Sequence, residues 1–151
     1  MKKTFKGRPV IAGMAEGKAV VSRGGFNAYA SFYNSLAEGV QIAICADSGN
    51  QDTYGKSLSG KILCIPSSTG STSAGAVWQR IVGLGIAPKA VLFSHTIDSL
   101  AAGGLLVADI WVSKTICVID QLGEEFLETV QEGDWIEIQE NGTVIITVSK
   151  G

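Results

Sequence analysis

Residues 61–94 read KILCIPSSTGSTSAGAVWQRIVGLGIAPKAVLFS, and this stretch decides the fold. Lys61 to Ile65 is a short apolar run closed by Pro66, the pattern of a buried strand. Ala74, Val77, Trp78, Ile81 and Val82 follow at helical spacing and form one apolar face, with Trp78 in the core. Gly85 and Pro88 end that helix. Ala90 to Ser94 is a second buried strand. A strand, a helix and a strand in this order predict two parallel neighbours joined by a crossover.

Outward from this unit the pattern is mixed. Downstream, Asp98 to Val107 reads as a helix capped by Thr96 or Asp98, and Thr115 to Ile119 as a third buried strand. Glu124 to Val130 is a short acidic helix. Trp135 to Gln139 and Thr143 to Val148 flank Asn141-Gly142, a strong hairpin signal. Upstream, Gly13 and Gly17 flank a turn before a strand at Lys18 to Ser22. Asn27 to Leu36 is either a helix or an aromatic loop, Val40 to Ala46 a strand, and Asp47 to Tyr54 a polar loop. A parallel core with antiparallel strands at both ends predicts an α/β fold of three layers, β/β/α, with a smaller antiparallel sheet.

The chain has 151 residues, within the range of one domain, and a domain of that size needs no disulfide or metal staple. Only 17% of residues are charged, against a usual share of about 25%, which implies that a partner covers part of the surface. Net charge is −2, and Lys2, Lys3, Lys6 and Arg8 read as a solvated terminal face. Nucleic acid is therefore not an expected partner. No signal-peptide or membrane-spanning pattern is present. Cys45, Cys64 and Cys117 match no metal-ligand spacing and read as buried thiols in a reducing cytoplasm.

Chemistry concentrates between the first strand and its helix, in Ser67-Ser68-Thr69-Gly70-Ser71-Thr72-Ser73. A ligand in a parallel α/β sheet sits beyond the carboxyl ends of the strands. A helix N-terminus adds unpaired N–H groups and about half a positive charge, which favour a carboxylate or phosphate. One helix cap needs one hydroxyl, and six of these seven residues carry one. The loop lacks the Gly-Lys-Ser/Thr ending of a phosphate-binding loop and the Gly-x-Ser-x-Gly of a nucleophile elbow. A hydrolytic pairing of His95 with a serine is disfavoured, and Asp98 reads as a helix cap rather than a triad acid. Asn27, Tyr29, Tyr33 and Arg23 either line a substrate pocket or serve packing and surface roles.

Gly60-Lys61-Ile62-Leu63 leading to Pro66, then Gly70-Ser71-Thr72, then Gly85-Ile86-Ala87-Pro88-Lys89-Ala90 and Ile97-Asp98-Ser99-Leu100-Ala101-Ala102-Gly103 together resemble the swivelling-domain subunit of the aconitase X family. Gly13-Met14-Ala15-Glu16-Gly17 and Gly133-Asp134 extend the likeness to most of the chain, so residues 1–151 are expected to form one swivelling domain. Ala30-Ser31-Phe32-Tyr33 and the run Gly70 to Trp78 look like the bacterial two-chain branch associated with cis-3-hydroxy-L-proline dehydratase. The archaeal phosphomevalonate dehydratase branch usually has a Gly-Arg/Lys-Gly-Ser core. Here Ser68-Thr69 precedes Gly70-Ser71, which removes a cation that would meet a phosphate.

The resemblance implies a hydro-lyase subunit, inactive without a large subunit that carries an iron–sulfur cluster or metal and most ligands of a small carboxylate substrate. This chain would bring Ser71 to the interface as the proton-abstracting base. Gly70, Thr72, Ser73, Ser67 and Ser68 would bind substrate, and this chain would hold no metal. The alternatives are a phosphomevalonate dehydratase subunit, a stand-alone small-anion-binding module, and a structural subunit whose loop only caps a helix.

Overall fold

The computed structural model describes residues 2–69, 74–98, 101–106 and 116–148. The elements are β1 (Lys2–Lys6), β2 (Arg8–Ile11), β3 (Ala15–Val21), β4 (Phe26–Asn27), α1 (Ala28–Glu38), β5 (Ile62–Ile65), β6 (Ser68–Thr69), α2 (Ala74–Gly83), β7 (Ala90–Phe93), α3 (101–106), β8 (Cys117–Asp120), α4 (Glu124–Thr129), β9 (Trp135–Ile138) and β10 (Thr143–Thr147).

Eight strands form one sheet in the order β1-β10-β9-β3-β5-β7-β8-β2. The four central strands β3, β5, β7 and β8 are parallel, and the outer pairings are antiparallel. The predicted β5–α2–β7 unit is present, with Ile62 opposite Ala90 and Ile65 opposite Phe93. β3 serves both halves: Ala15 to Lys18 pair with β9, and Ala19 to Val21 pair with β5. β1 and β2 lie at opposite ends of the strand order, yet only Gly7 separates them. The sheet therefore doubles over. A Cβ on Gly7 would lie 2.6 Å from the Asp120 carbonyl and from Ile119 Cγ2, so this corner has no room for a side chain.

Strand alternation then sorts the side chains into two cores. Ala19, Ile62, Cys64, Leu92 and Ile119 face Ile136, Val144 and Ile146 between the sheet halves. Phe126 of α4 plugs the end of that space and meets Phe5 edge-on at 5.5 Å. On the other face, Val20, Leu63, Ile65, Val91 and Phe93 pack against the helices through Phe32, Trp78, Ile81 and Leu105. Trp78 is fully buried, with its ring 5.8 Å from Phe32 and 6.0 Å from Phe26. These are the three layers read from the sequence.

Several local expectations change. The strand expected to start at Lys18 starts at Ala15, because Gly17 pairs with Ile136 inside the ladder instead of flanking a turn. Val40 to Ala46 is not a strand; only Ile44 makes an isolated bridge, to Ser57. Its backbone groups go elsewhere. Ala43 N–H donates to Ser59 Oγ, Ile44 N–H to Ser35 Oγ, and Ala46 N–H to the Ser31 carbonyl. Within this segment Ala43 and Cys45 are buried. Asn27 to Leu36 resolves as the helix α1, which Asn27 caps by accepting from Ala30 N–H. The Asn141-Gly142 hairpin closes through Gln139 N–H to the Thr143 carbonyl, with Gly142 at φ +89°.

Arg8 is not part of a merely solvated terminal face. Its guanidinium donates from Nε and Nη2 to the two oxygens of Asp120, at 2.9 and 2.7 Å. Asp120 is fully buried and also accepts from Ile97 N–H at 2.8 Å. The ion pair raises the Arg8 pKa through its hydrogen bonds and charge attraction to Asp120. The clasp ties β2 and β8 to the segment after β7. Asp120→Ala is expected to destabilise the domain by about 3 kcal/mol, since it strands the Ile97 N–H and removes two charge-assisted bonds. Urea unfolding at neutral pH measures this, and a loss below about 1 kcal/mol would contradict the role of the clasp.

Candidate functional site

The parallel strands β3, β5, β7 and β8 end at one edge, and the chain leaves them through residues 22–25, 66–69, 94–98 and 121–123. Backbone bonds stitch these segments together. Ser22 N–H donates to the Cys64 carbonyl, Ser94 N–H to Ile65, His95 N–H to Pro66, and Gln121 N–H to His95. The hydroxyl-rich loop leaves this edge. Its first residues pair in a way the sequence did not reveal: Ser68–Thr69 form a two-residue parallel ladder with Phe26–Asn27, and Phe26 N–H donates to the Ser67 carbonyl at 2.9 Å. Two residues are too few for any periodicity to show.

This small sheet has a consequence for the site. Asn27 caps α1, and its ladder partner Thr69 directly precedes the remainder of the loop. The loop stem and the N-terminus of α1 are therefore tied together. Ser67 and Ser68 are half-buried in the stem. Gly70, Ser71, Thr72 and Ser73 lie outside the described residues. α2 begins at Ala74, so the expected base stands three residues before a ten-residue helix.

A cavity of about 330 Å³ opens at the same edge, between the ends of β5 and β7 and helix α4. Arg23, Pro66, Ser94, His95 and Glu128 line it. Ser94 is 4% exposed, and its hydroxyl has no hydrogen-bond partner among the described residues. Arg23 is exposed, and its Nη2 donates to the Val130 carbonyl at 2.7 Å. His95 is exposed, while Asp98 accepts from Ala101 N–H at 2.9 Å. Asp98 thus caps α3, as one of the two caps considered. Tyr29 and Tyr33 stack on each other at 5.3 Å on the outer face of α1.

The thiols do not fit a cluster site. Cys45 Sγ is 3.3 Å from Thr53 Oγ1 on the helix side of the sheet, whereas Cys64 and Cys117 belong to the core between the sheet halves. Among the described residues, no three His, Cys, Asp or Glu side chains converge as metal ligands. No helix among them is long and apolar enough to cross a membrane.

Burial pushes the Cys117 thiol up to about 11 from 9.0. It also pushes the Cys64 thiol up, with Glu132 adding to the effect. The folded state therefore keeps protons that unfolded thiols shed near 9.0. Stability from these neutral thiols is complete below that pH and declines as pH rises toward about 11. Urea midpoints across this range are expected to fall for the wild type and to fall less for a Cys64→Ala/Cys117→Ala double variant. Parallel curves for the two proteins would refute the assignment.

Comparison with known proteins places this architecture. The aconitase X swivel domain model matches residues 4–147. The phosphomevalonate dehydratase small subunit of Aeropyrum pernix is 30% identical over 140 residues, covering 93% of this chain and 90% of its own. That of Methanosarcina acetivorans is 28% identical over 134 residues, covering 89% and 83%. That of Thermococcus kodakarensis is 33% identical over 106 residues, covering 70% and 74%. The crystal structure of Thermococcus kodakaraensis aconitase X in its holo-form superposes with a TM-score of 0.80 at 24% identity, over 97% of this chain and 99% of that one. The doubled sheet, the helical layer on one face and the family match along nearly the whole length lead to one conclusion: the chain belongs to the aconitase X swivel domain family.

Proposed function

We propose that this chain is the small subunit of a two-chain hydro-lyase and that it supplies Ser71 as the base in eliminating water from a hydroxy-carboxylate. The observation that supports this reading is the convergence, at the carboxyl edge of the parallel strands, of the hydroxyl-rich loop stem and the start of α2. The relatives' names point to the same class of enzyme, a dehydratase with a separate large subunit. The large subunit holds the cluster or metal and most substrate ligands.

In this reading the Ser71 alkoxide takes the proton from the carbon next to the substrate carboxylate, the freed C–H electron pair becomes the new C=C bond, and the C–O bond of the neighbouring carbon breaks. The departing hydroxide and the proton that Ser71 then releases make up the water eliminated. An isolated serine hydroxyl is a poor base in water. Backbone N–H groups at a helix N-terminus, together with the helix dipole, stabilise the alkoxide that the step requires.

The curated relatives make a phosphomevalonate the first substrate to test. One observation favours the second reading, cis-3-hydroxy-L-proline. The loop from Ser67 to Ser73 has no Lys or Arg, and the Arg23 guanidinium at this edge is held by the Val130 carbonyl. A substrate without phosphate needs no cation there. The test is to purify the chain together with the aconitase X large subunit from the same genome and assay dehydration of both compounds. Turnover of one by the pair, and of neither by each chain alone, is the expected result. A pair that dehydrates neither compound counts against the reading, as does a small chain that is active alone.

A further inference from the structure

Residues 22–25 carry the chain from β3 to the small β4–β6 ladder, and they end in two adjacent glycines. Neither glycine adopts a left-handed backbone, so conformation does not demand either of them. Space distinguishes them instead. A Cβ on Gly24 would meet nothing within 4 Å. A Cβ on Gly25 would fall on Cγ2 of Thr69, with Thr69 Cβ and Oγ1 each 3.6 Å away. The Thr69 methyl thus occupies the place where a side chain of residue 25 would stand. Gly25 is a notch, and Thr69 fills it.

The turn that carries the notch is braced from behind. Ser22 is fully buried, and its hydroxyl donates to the Gly24 carbonyl at 2.7 Å. The buried Asn50 amide donates to Ser22 Oγ at 3.0 Å. Arg23 N–H donates to Asp52 Oδ2 at 2.7 Å. Asn50 Oδ1 in turn accepts from the N–H groups of Asp52 and Thr53, each at 3.2 Å. Residues 50–53 therefore hold the turn in place. Just beyond it, Phe26–Asn27 grip Ser68–Thr69 by a ladder only two residues long. So short a ladder leaves the tilt of the stem soft. The Thr69 methyl in the notch adds a further point of contact, on a β-branched side chain that is stiff at χ1. Thr69 stands two residues before Ser71.

We infer that Gly25 is a positioning residue for the dehydration: its notch seats the Thr69 methyl and sets the direction in which the loop sets out toward Ser71. This inference rests on the proposed function, because the direction of the loop matters only when a residue on it reacts. A displacement of about 1 Å at a reacting group costs about 10²-fold in rate, so a small tilt of the stem has a large readout.

The test assembles each variant with the aconitase X large subunit from the same genome and assays the compound that the wild-type pair dehydrates. Gly25→Ala is expected to lower kcat at least tenfold and to change KM less than threefold. Gly24→Ala is expected to keep kcat within about twofold. Thr69→Ser removes the methyl and keeps the hydroxyl. Combined with Gly25→Ala, it makes room for the new Cβ and is expected to recover most of the lost kcat. Urea unfolding and affinity for the large subunit are expected to match the wild type in every variant. A Gly25→Ala pair within threefold of the wild-type kcat overturns the inference, since Thr69 then turns aside without moving the stem. A loss that Thr69→Ser does not recover overturns it as well, as does a loss that tracks a lower urea midpoint or weaker assembly. These three outcomes leave the proposed function standing. A wild-type pair that dehydrates neither compound overturns the proposed function, and this role with it.

Discussion

Replacing Ser71 with alanine is expected to lower turnover of the assembled enzyme by a factor of about 10³ while leaving assembly unchanged. The size follows from the proposed role: a positioned general base contributes about 10²–10⁴ to rate. Loss of one small hydroxyl is expected to cost little stability, so the variant and the wild type should have the same affinity for the large subunit. KM should change far less than kcat, because a base acts in the transition state rather than in ground-state binding. The neighbouring hydroxyls supply the comparison. Ser68 sits in the β6 ladder, where its backbone rather than its hydroxyl makes the pairing, so Ser68→Ala should keep turnover within about tenfold of wild type. Steady-state kinetics of both variants separate the roles. Near-normal turnover in Ser71→Ala would remove this residue as the base, and equal losses in the two variants would make the loop a collective anion site instead.

The second large effect concerns two adjacent glycines whose substitutions should have opposite signs. Gly103 and Gly104 both lie in α3. A Cβ on Gly103 would point into open space, whereas a Cβ on Gly104 would fall on the Gly75 carbonyl, with Gly75 Cα only 2.9 Å away. Gly103→Ala is therefore expected to stabilise the domain by about 0.5–1 kcal/mol through helix propensity. Gly104→Ala gains the same propensity but drives α3 against the backbone of α2. Backbone cannot rotate away as a side chain can, so the net effect is a loss of about 2 kcal/mol or more. Because Gly75 is the second residue of α2, the displacement reaches the helix end beside the hydroxyl-rich loop. Turnover of the assembled Gly104→Ala enzyme should fall as well, and that of Gly103→Ala should not. Urea unfolding of both variants tests the stability claim; a neutral Gly104→Ala would mean that the two helices separate at little cost.

Much of the fold was legible from residues 61–94. Strands buried on both faces read as continuous apolar runs, as in Ile62 to Ile65 and Ala90 to Phe93, and the face of α2 shows in the spacing of Val77, Trp78 and Ile81. Both signals are local, because period and length reside in neighbouring residues. Val40 to Ala46 misled for the same reason. A short apolar run shows that residues can be buried, not what their backbone groups bond to, and here serines of α1 and of residue 59 take the place of a neighbouring strand.

The sequence by itself determined the layer architecture and the crossover unit, and it places a hydroxyl-rich segment ahead of α2. Only the tertiary structure decided where the sheet doubles over, at β3 and Gly7, and what surrounds that loop. The Arg8–Asp120 clasp spans 112 residues, and the Phe26–Asn27 ladder with Ser68–Thr69 joins segments about forty residues apart. Neither leaves a periodic trace, because each depends on which surfaces the folded layers bring together. The same holds for Gly104, whose missing side chain acquires meaning only when α2 lies against it.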